Sequence, residues 1–403
     1  MRPRGYSSRG SIGALLGCAI LAFLFSLPAT ASAEGGAQAS VIGGRAATIE
    51  EFPSLAYIEA HEGRSGFACT GTVVAPRVIL TAAHCLEDLE RGRFTSAGDY
   101  AVATGTTTPG KALPENVFRV VDTHVFPGFD PGNLRGDAGI LVLERPTAAP
   151  PIALAGPADA SLYAGGASVQ LAGWGLTRAN AADGPGSLRA TSMVVQAPSF
   201  CRQKTRRYYP FFSAAAQLCT LDVPSKKSGG CFGDSGGPVI GQRADGVPVE
   251  LGVVSTGGPF CSTKLPNIFT RGDFVSTWVA EWIAAVEAGA PRPIIDPNTP
   301  FPLMTRPAAE EFTVYALQAN FGRRFERADR LFGGCRRTNR SRFRCEVAWR
   351  SGRNIYGGVV SPFYVRRQQG VVWNSHFRIE WLPAKCLRAD KFTGRCKPHV
   401  QRG

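Results

Sequence analysis

Three scarcities limit what this 403-residue chain can do. It has only five histidines, no pair of cysteines in a C-x-x-C spacing, and one uninterrupted apolar run, Ile12 to Leu27. Without the paired-cysteine spacing a zinc site is not expected, and no cofactor is called for. No internal repeat is visible, which sets aside stacked-repeat architectures. Any imidazole chemistry must come from His61, His84, His124, His376 or His399.

The apolar run lies behind Arg2, Arg4 and Arg9 and ahead of Ala31-Ser32-Ala33, small residues of the kind a signal peptidase reads. It is short for a membrane span of roughly 20 residues. It also continues well past Cys18, which argues against a lipid anchor there. Residues 1–33 therefore read as a signal peptide and the chain as secreted, with no membrane attachment after the signal is removed. Eleven cysteines less Cys18 leave ten, an even number suited to an oxidising compartment.

Charge is unevenly spread. From Phe301 to Gly403 there are 21 Lys and Arg against 7 Asp and Glu, which carries the whole net charge of +14. The 300 residues before it hold equal numbers of each sign. From Val41 to about Gly289, short alternating apolar runs such as "GTVVAPRVILTAAH", "GDAGILVLERP", "ASVQLAGWG" and "VELGVVSTGG" sit between glycine and proline turns. These read as the strands of an all-β sandwich or barrel. A closing helix should be capped by Asp273 and bury Trp278, Val279, Trp282, Ile283 and Val286. Residues 290–307 contain six prolines, a stiff linker that suggests two separately folding units. In residues 308–403, Val314, Leu317, Phe321, Phe325 and Ala328 recur at helical spacing. Strands follow at "SRFRCEVAW", "NIYGGVVSPFYV" and "GVVWNSHFRIEW", making a small α+β unit.

Chemistry concentrates in "KSGGCFGDSGGPV", residues 227–239. A serine hydroxyl is a poor nucleophile unless a base and an orienting acid serve it. Among the histidines, only His84 has a distinctive frame, directly after an apolar strand and beside a cysteine. Asp137 precedes "AGILVL" and would stand at the mouth of a buried strand. Taken singly, His84 reads equally well as an ordinary surface or core histidine, and Asp137 better as a solvated loop aspartate. "GDSGG" also fits the G-x-S-x-G elbow of α/β-hydrolases, but there the acid and histidine follow the serine, in alternating strands and helices. Here they precede it in all-β surroundings.

Together "VIGG" at 41–44, "TAAHC" at 81–85, "GDAGIL" at 136–141, "GWG" at 173–175 and "GDSGGP" at 233–238 resemble the trypsin-like, chymotrypsin-fold serine protease family. The resemblance covers about residues 41–289 and implies two six-stranded antiparallel β-barrels with a terminal helix. By that resemblance Ser235 is the nucleophile, His84 the general base and acid, and Asp137 the orienting carboxylate. The N–H groups of Gly233 and Ser235 form the oxyanion hole. Residues 34–40 become a short propeptide, and Val41 a new N-terminus whose amine pairs with Asp234. Bridges Cys69–Cys85, Cys201–Cys219 and Cys231–Cys261 are implied. The specificity pocket would be bounded by Gly229 at its base, Gly230, Ser255, Gly257 and Asn267. Gly229 stands where trypsin-type enzymes carry an aspartate, so Arg and Lys should be poor substrate residues and neutral ones, small to medium apolar or aromatic, better. Asn267 occupies a position that is often glycine, and Thr256 one that is often tryptophan.

Cys335 and Cys345, like Cys386 and Cys396, are ten apart, and two hairpin bridges are the simplest of three pairings. Arg340, Arg342 and Arg344 alternate and would share a strand face. That face reads either as a solvated surface that keeps the unit soluble or as a site for a polyanion such as a cell-wall polymer or acidic glycan. No nucleic-acid-binding signature accompanies the charge, so sequence-specific nucleic-acid binding is not expected. The expected partner of the catalytic region is a protein or peptide substrate. A silent adhesin on a protease fold is the competing reading, and the complete Ser235, His84 and Asp137 set argues against it.

Overall fold

The structure is a computed structural model that describes residues 41–62, 65–178, 186–290, 299–326, 328–387 and 397–403. Residues 1–40, read above as a signal peptide and propeptide, residues 291–298 of the proline-rich stretch, and Cys396 lie outside the described residues.

Six strands close the first barrel: β1 Leu55–Glu62, β2 Ser65–Ala75, β3 Val78–Thr81, β4 Tyr100–Thr104, β5 Val117–Val125 and β6 Gly139–Leu143. Around it the order is β1-β2-β3-β6-β5-β4. In β5, Phe118 and Val120 point inward between exposed neighbours, the period-two alternation of a half-buried strand. β3 and β6 are buried along their whole length, so their sequences "VILT" and "GILVL" run continuously apolar.

The second barrel uses β7 Ser168–Gly173, β8 Arg189–Val195, β9 Gln217–Leu221, β10 Pro238–Gln242, β11 Pro248–Thr256 and β12 Asn267–Arg271. Pairing of Val194 with Leu221 and Val195 with Thr220 closes it. Its strand order is that of the first barrel, a repeat of topology with no repeat of sequence. Closure leaves neither barrel a free edge.

Two helices belong to this region, α1 Pro198–Thr205 and α2 Gly272–Glu287. Helix α2 buries Trp278, Val279 and Trp282, with Ile283 and Val286 packed against the same core. Asp273 does not cap it. The N-cap is Arg271, whose guanidinium forks onto the Asp273 carboxylate at 2.9 and 2.5 Å.

The C-terminal unit opens with α3 Arg306–Phe321, two residues before the expected boundary, with the Thr305 hydroxyl accepting from Ala308 N. It ends at Gly322, whose φ of +48° is a conformation side chains rarely adopt. Leu317, Phe321 and Phe325 are buried as the spacing predicted, whereas Val314 is only half-buried and Phe312 takes the central place. The helix covers one face of a five-stranded antiparallel meander: β13 Asp329–Asn339, β14 Arg342–Ser351, β15 Asn354–Arg366, β16 Val371–Pro383 and β17 His399–Arg402. Phe343, Cys345, Val347 and Trp349 of β14 point into that core.

Each unit has its own hydrophobic core, and the two are also in contact. The C-terminal unit is docked on the first barrel. Tyr364 donates a hydrogen bond to Asp130 at 2.5 Å, and Trp373 Nε1 donates to the Leu89 carbonyl at 2.6 Å. A proline-rich stretch stiffens the path between two units but does not prevent them from packing.

Candidate active site

Pairing of Leu80 with Ile140 and Thr81 with Gly139 aligns the ends of β3 and β6. The turn after β3, Ala83–Cys85, thereby meets the residue preceding β6. His84 Nδ1 lies 2.7 Å from Asp137 Oδ2, and His84 N donates to Asp137 Oδ1 at 3.0 Å. A third donor arrives from the second barrel, with Ser255 Oγ 2.6 Å from Asp137 Oδ2. Asp137 is fully buried, and these three bonds replace the water it has lost. The Cys69–Cys85 bridge and the bond from Tyr100 Oη to the Cys85 carbonyl, 2.9 Å, fix the turn from both sides. Burial of the His84 ring pulls its pKa down, but the charge and hydrogen bond of Asp137 outweigh this and raise it above the ordinary 6.5.

Ser235 comes from the second barrel. Its loop is pinned across the inter-barrel seam: Thr70 N donates to the Ser235 carbonyl at 2.8 Å, and Thr70 Oγ1 to the Gly233 carbonyl at 2.9 Å. Gly236 must be glycine here. Its φ is +80°, and an added Cβ would lie 2.0 Å from Thr81 Oγ1. On the far side Cys231–Cys261 tethers the loop. The N–H groups of Gly233 and Ser235 donate to no protein acceptor among the described residues. His84 and Ser235 line one cleft of about 940 Å³. Because Nδ1 is held by Asp137, the Nε2 edge of His84 is the one left for that cleft.

Asp234 is also fully buried, accepting from Gly175 N and Cys231 N at 2.9 Å each. Burial without a cation pushes its pKa up to about 7, against the pull of those two amides. Val41 is buried in the core of the same barrel, and Gly229 N donates to the Ile42 carbonyl at 3.0 Å.

The expected pocket residues do converge. Asn267, 8% exposed, reaches between the walls, its Oδ1 accepting from Gly230 N at 3.2 Å. A Cβ on Gly229 would lie 2.9 Å from Asn267 Oδ1, and one on Gly257 would lie 2.7 Å from Asn267 Nδ2. The amide thus occupies the space that three glycines leave. Phe67, Phe232 and Phe260 stand on the rim of the cleft, 39%, 60% and 84% exposed. Sequence reasoning placed Ser255 in the pocket wall but missed its bond to Asp137; no spacing pattern signals a contact between residues 118 apart.

Four bridges have both partners among the described residues, Cys69–Cys85, Cys201–Cys219, Cys231–Cys261 and Cys335–Cys345, and Cys386 is also disulfide-bonded. The Cys335–Cys345 bridge joins directly opposed residues of β13 and β14. Among the described residues no helix is long and apolar enough to cross a membrane.

The family model described as Trypsin matches residues 41–279. The chain is 27% identical over 250 residues to a trypsin of Saccharopolyspora erythraea, covering 62% of this chain and all of that protein. It is 27% identical over 252 residues to cathepsin G of Mus musculus, 61% of this chain and 86% of the relative. Against a chymotrypsin of Phaedon cochleariae the identity is 25% over 254 residues, 60% and 83%. Two closed barrels of one topology, the cleft between them and the match over more than half the chain agree: it belongs to the trypsin-like serine protease family.

Proposed function

We propose that the chain is a secreted serine endopeptidase, made as a zymogen and cleaving after small neutral residues. The observation that carries this reading is the buried Asp137 carboxylate on His84 Nδ1, which turns Nε2 toward the cleft that Ser235 lines. In this reading Ser235 Oγ attacks the scissile carbonyl carbon as His84 Nε2 takes its proton. The oxyanion is received by the N–H groups of Gly233 and Ser235, and Asp137 stabilises the imidazolium. His84 returns the proton to the departing amine, leaving an acyl-enzyme that water hydrolyses by the same steps. The test is labelling with a fluorophosphonate that modifies active serines. Modification of Ser235 is expected in the chain that begins at Val41, and an unmodified Ser235 there defeats the reading.

Activation follows from Asp234. In this reading, cutting the Ser40–Val41 bond frees an ammonium that moves to pair with the buried Asp234 carboxylate, which has no cation among the described residues, and the pair orders the oxyanion hole. For the pocket, Gly229 offers no charge and Asn267 leaves little depth, so Ala and residues of similar size are favoured over Arg, Lys and aromatics. Replacing Asn267 by Gly should raise kcat/KM for Met or Phe before the scissile bond by on the order of 10-fold relative to Ala, read from a peptide library. An unchanged profile would show that Asn267 does not set the depth.

A second reading concerns the sheet face opposite α3. Arg336 faces Arg344 across β13 and β14, whereas Arg378, opposite Arg402 across β16 and β17, is already paired with Glu380 at 2.7 Å. Like charges placed directly opposite destabilise a sheet unless a counter-ion lies on them. Of the three arginines singled out earlier, Arg340 donates to the Phe301 carbonyl and Arg342 stacks on Phe363, so Arg344 is the one with the better claim. We infer that this face receives a polyanion. Heparin retention that falls with salt, and falls further in Arg336→Gln/Arg344→Gln, is expected; retention unaffected by that variant would refute it.

A further inference from the structure

The C-terminal unit touches the first barrel at a particular place. Its contacts fall on two segments, residues 89–94, which follow His84, and residues 125–132, which lie ahead of Asp137. Trp373 Nε1 donates to the Leu89 carbonyl, and Val125 N donates to the Gln369 carbonyl at 2.9 Å. The approach is close. A Cβ on Gly92, at φ +59°, would lie 2.2 Å from the Trp373 carbonyl oxygen. One on Gly132 would lie 2.4 Å from Ala308 Cβ and 2.8 Å from Tyr364 Oη. Two glycines of the barrel therefore leave room for the docked unit.

The centre of this contact is Asp130, 5% exposed. Its Oδ1 accepts from Gly132 N at 3.0 Å and from Tyr364 Oη, and its Oδ2 from Asn133 Nδ2 at 2.7 Å. Asn133 Oδ1 in turn accepts from Arg135 N at 3.0 Å, and Asp130 N donates to the Arg135 carbonyl at 3.0 Å. One carboxylate thus shapes the turn of 130–135 that hands the chain to Gly136, at φ +71°, and then to Asp137. Two of its donors are local. The third, Tyr364, is 234 residues away and 4% exposed.

We propose that Tyr364 is a positioning residue for the catalytic centre: by completing the Asp130 turn, with Trp373 holding the segment after His84, the docked unit sets the His84–Asp137 geometry. The C-terminal unit is then part of the protease's machinery and not an appended passenger. Tyr364 touches neither substrate nor Ser235. It acts through the backbone that carries Asp137, so its removal disturbs alignment and leaves the pocket intact. A misplacement of well under an ångström is enough to slow such chemistry many-fold.

The experiment compares full-length wild type, Tyr364→Phe and Trp373→Phe, each begun at Val41. Active sites are titrated with a fluorophosphonate, and kcat and KM for a small peptide are expressed per titrated site. Tyr364→Phe is expected to lower kcat per site about tenfold with KM within twofold, and Trp373→Phe to do the same more weakly. Unchanged kcat per site in both variants, even with a lowered melting temperature, would reduce the contact to simple docking and overturn the proposal. Should Tyr364→Phe fail to fold, Trp373→Phe decides by the same criterion. The proposal rests on the serine-protease reading, and the two fail differently. A wild type that ignores the fluorophosphonate sinks both, whereas a reactive wild type with unaltered variants sinks this one alone.

Discussion

Asp137 and Asp234 are the same residue type, both wholly buried, one in each barrel, and their surroundings are opposite. Asp137 has three donors in place, one of them a histidine whose own basicity it raises. Asp234 has two backbone amides and, among the described residues, no cation, and burial raises its pKa to about 7. The first barrel's carboxylate is satisfied as it stands. The second barrel's carboxylate is costly until a positive charge joins it. Burial alone does not decide what an acid does; the number and charge of its donors do.

The sharpest way to break the comparison is to remove the group each barrel supplies to the cleft. Ser235→Ala takes away the only atom that forms the acyl bond, and turnover should fall on the order of a million-fold with folding intact. Retained turnover, measured on a peptide after active-site titration, would reject the assignment. Asp137→Asn should cost about 10⁴-fold, because the tautomer is lost while the nucleophile stays. The pH profile sharpens this result. His84 must be neutral to accept a proton, so wild-type kcat/KM should rise with pH through a midpoint above the ordinary 6.5. In Asp137→Asn the residual rate should show that midpoint moved down, since burial is then unopposed.

The second barrel's aspartate makes a prediction about stability. Its folded pKa of about 7 lies above the ordinary 3.8, so the folded chain binds that proton more tightly than the unfolded one. Its contribution is present below 3.8 and is lost as pH rises through about 7. Melting temperatures of the Ser235→Ala protein, measured from pH 4 to 8, should fall with pH in the chain that retains residues before Val41. In the chain that begins at Val41 the ammonium removes that loss, so the two curves should separate toward pH 8. Parallel curves would argue against the ion pair.

The smallest effect is expected at Glu250, also in the second barrel. It is fully buried near Thr72, neither oxygen has a hydrogen-bond partner among the described residues, and burial pushes its pKa up to about 8. By the same sign its stabilising contribution fades between about pH 4.5 and 8. Glu250→Gln should flatten the melting curve over that range without altering kcat, because the residue faces neither the cleft nor its loops. A slope unchanged by the substitution would place the pH sensitivity elsewhere.

Much of the catalytic region was legible because its chemistry tolerates few residue types. His84, Asp137 and Ser235 stand in short frames whose neighbours are constrained too: Cys85 by its bridge, Gly236 by its φ, the "GILVL" strand by complete burial. The resemblance implied two barrels, but their shared strand order leaves no repeat in the sequence, since inward positions need only be apolar and of suitable size. The Asp273 cap was misread because a nearby arginine outcompeted the backbone for the carboxylate. Docking of the C-terminal unit could not be read either. It depends on Gly92, Gly132, Tyr364 and Trp373, which share no period and meet only in three dimensions. Proline content spoke to the stiffness of the connection and was silent about the interface.

The bond between Thr70 Oγ1 and the Gly233 carbonyl spans 163 residues of chain. Its consequence lies in time. A ribosome delivers the first barrel, with His84 and Asp137, long before the segment that carries Ser235 has emerged. The anchors that hold the serine loop are on one barrel and the loop itself is on the other, so the site is assembled only when both barrels are present. The docked unit, whose Tyr364 arrives later still, extends the delay. The residues proposed for catalysis are thus kept apart through synthesis by the order in which the barrels that carry them appear.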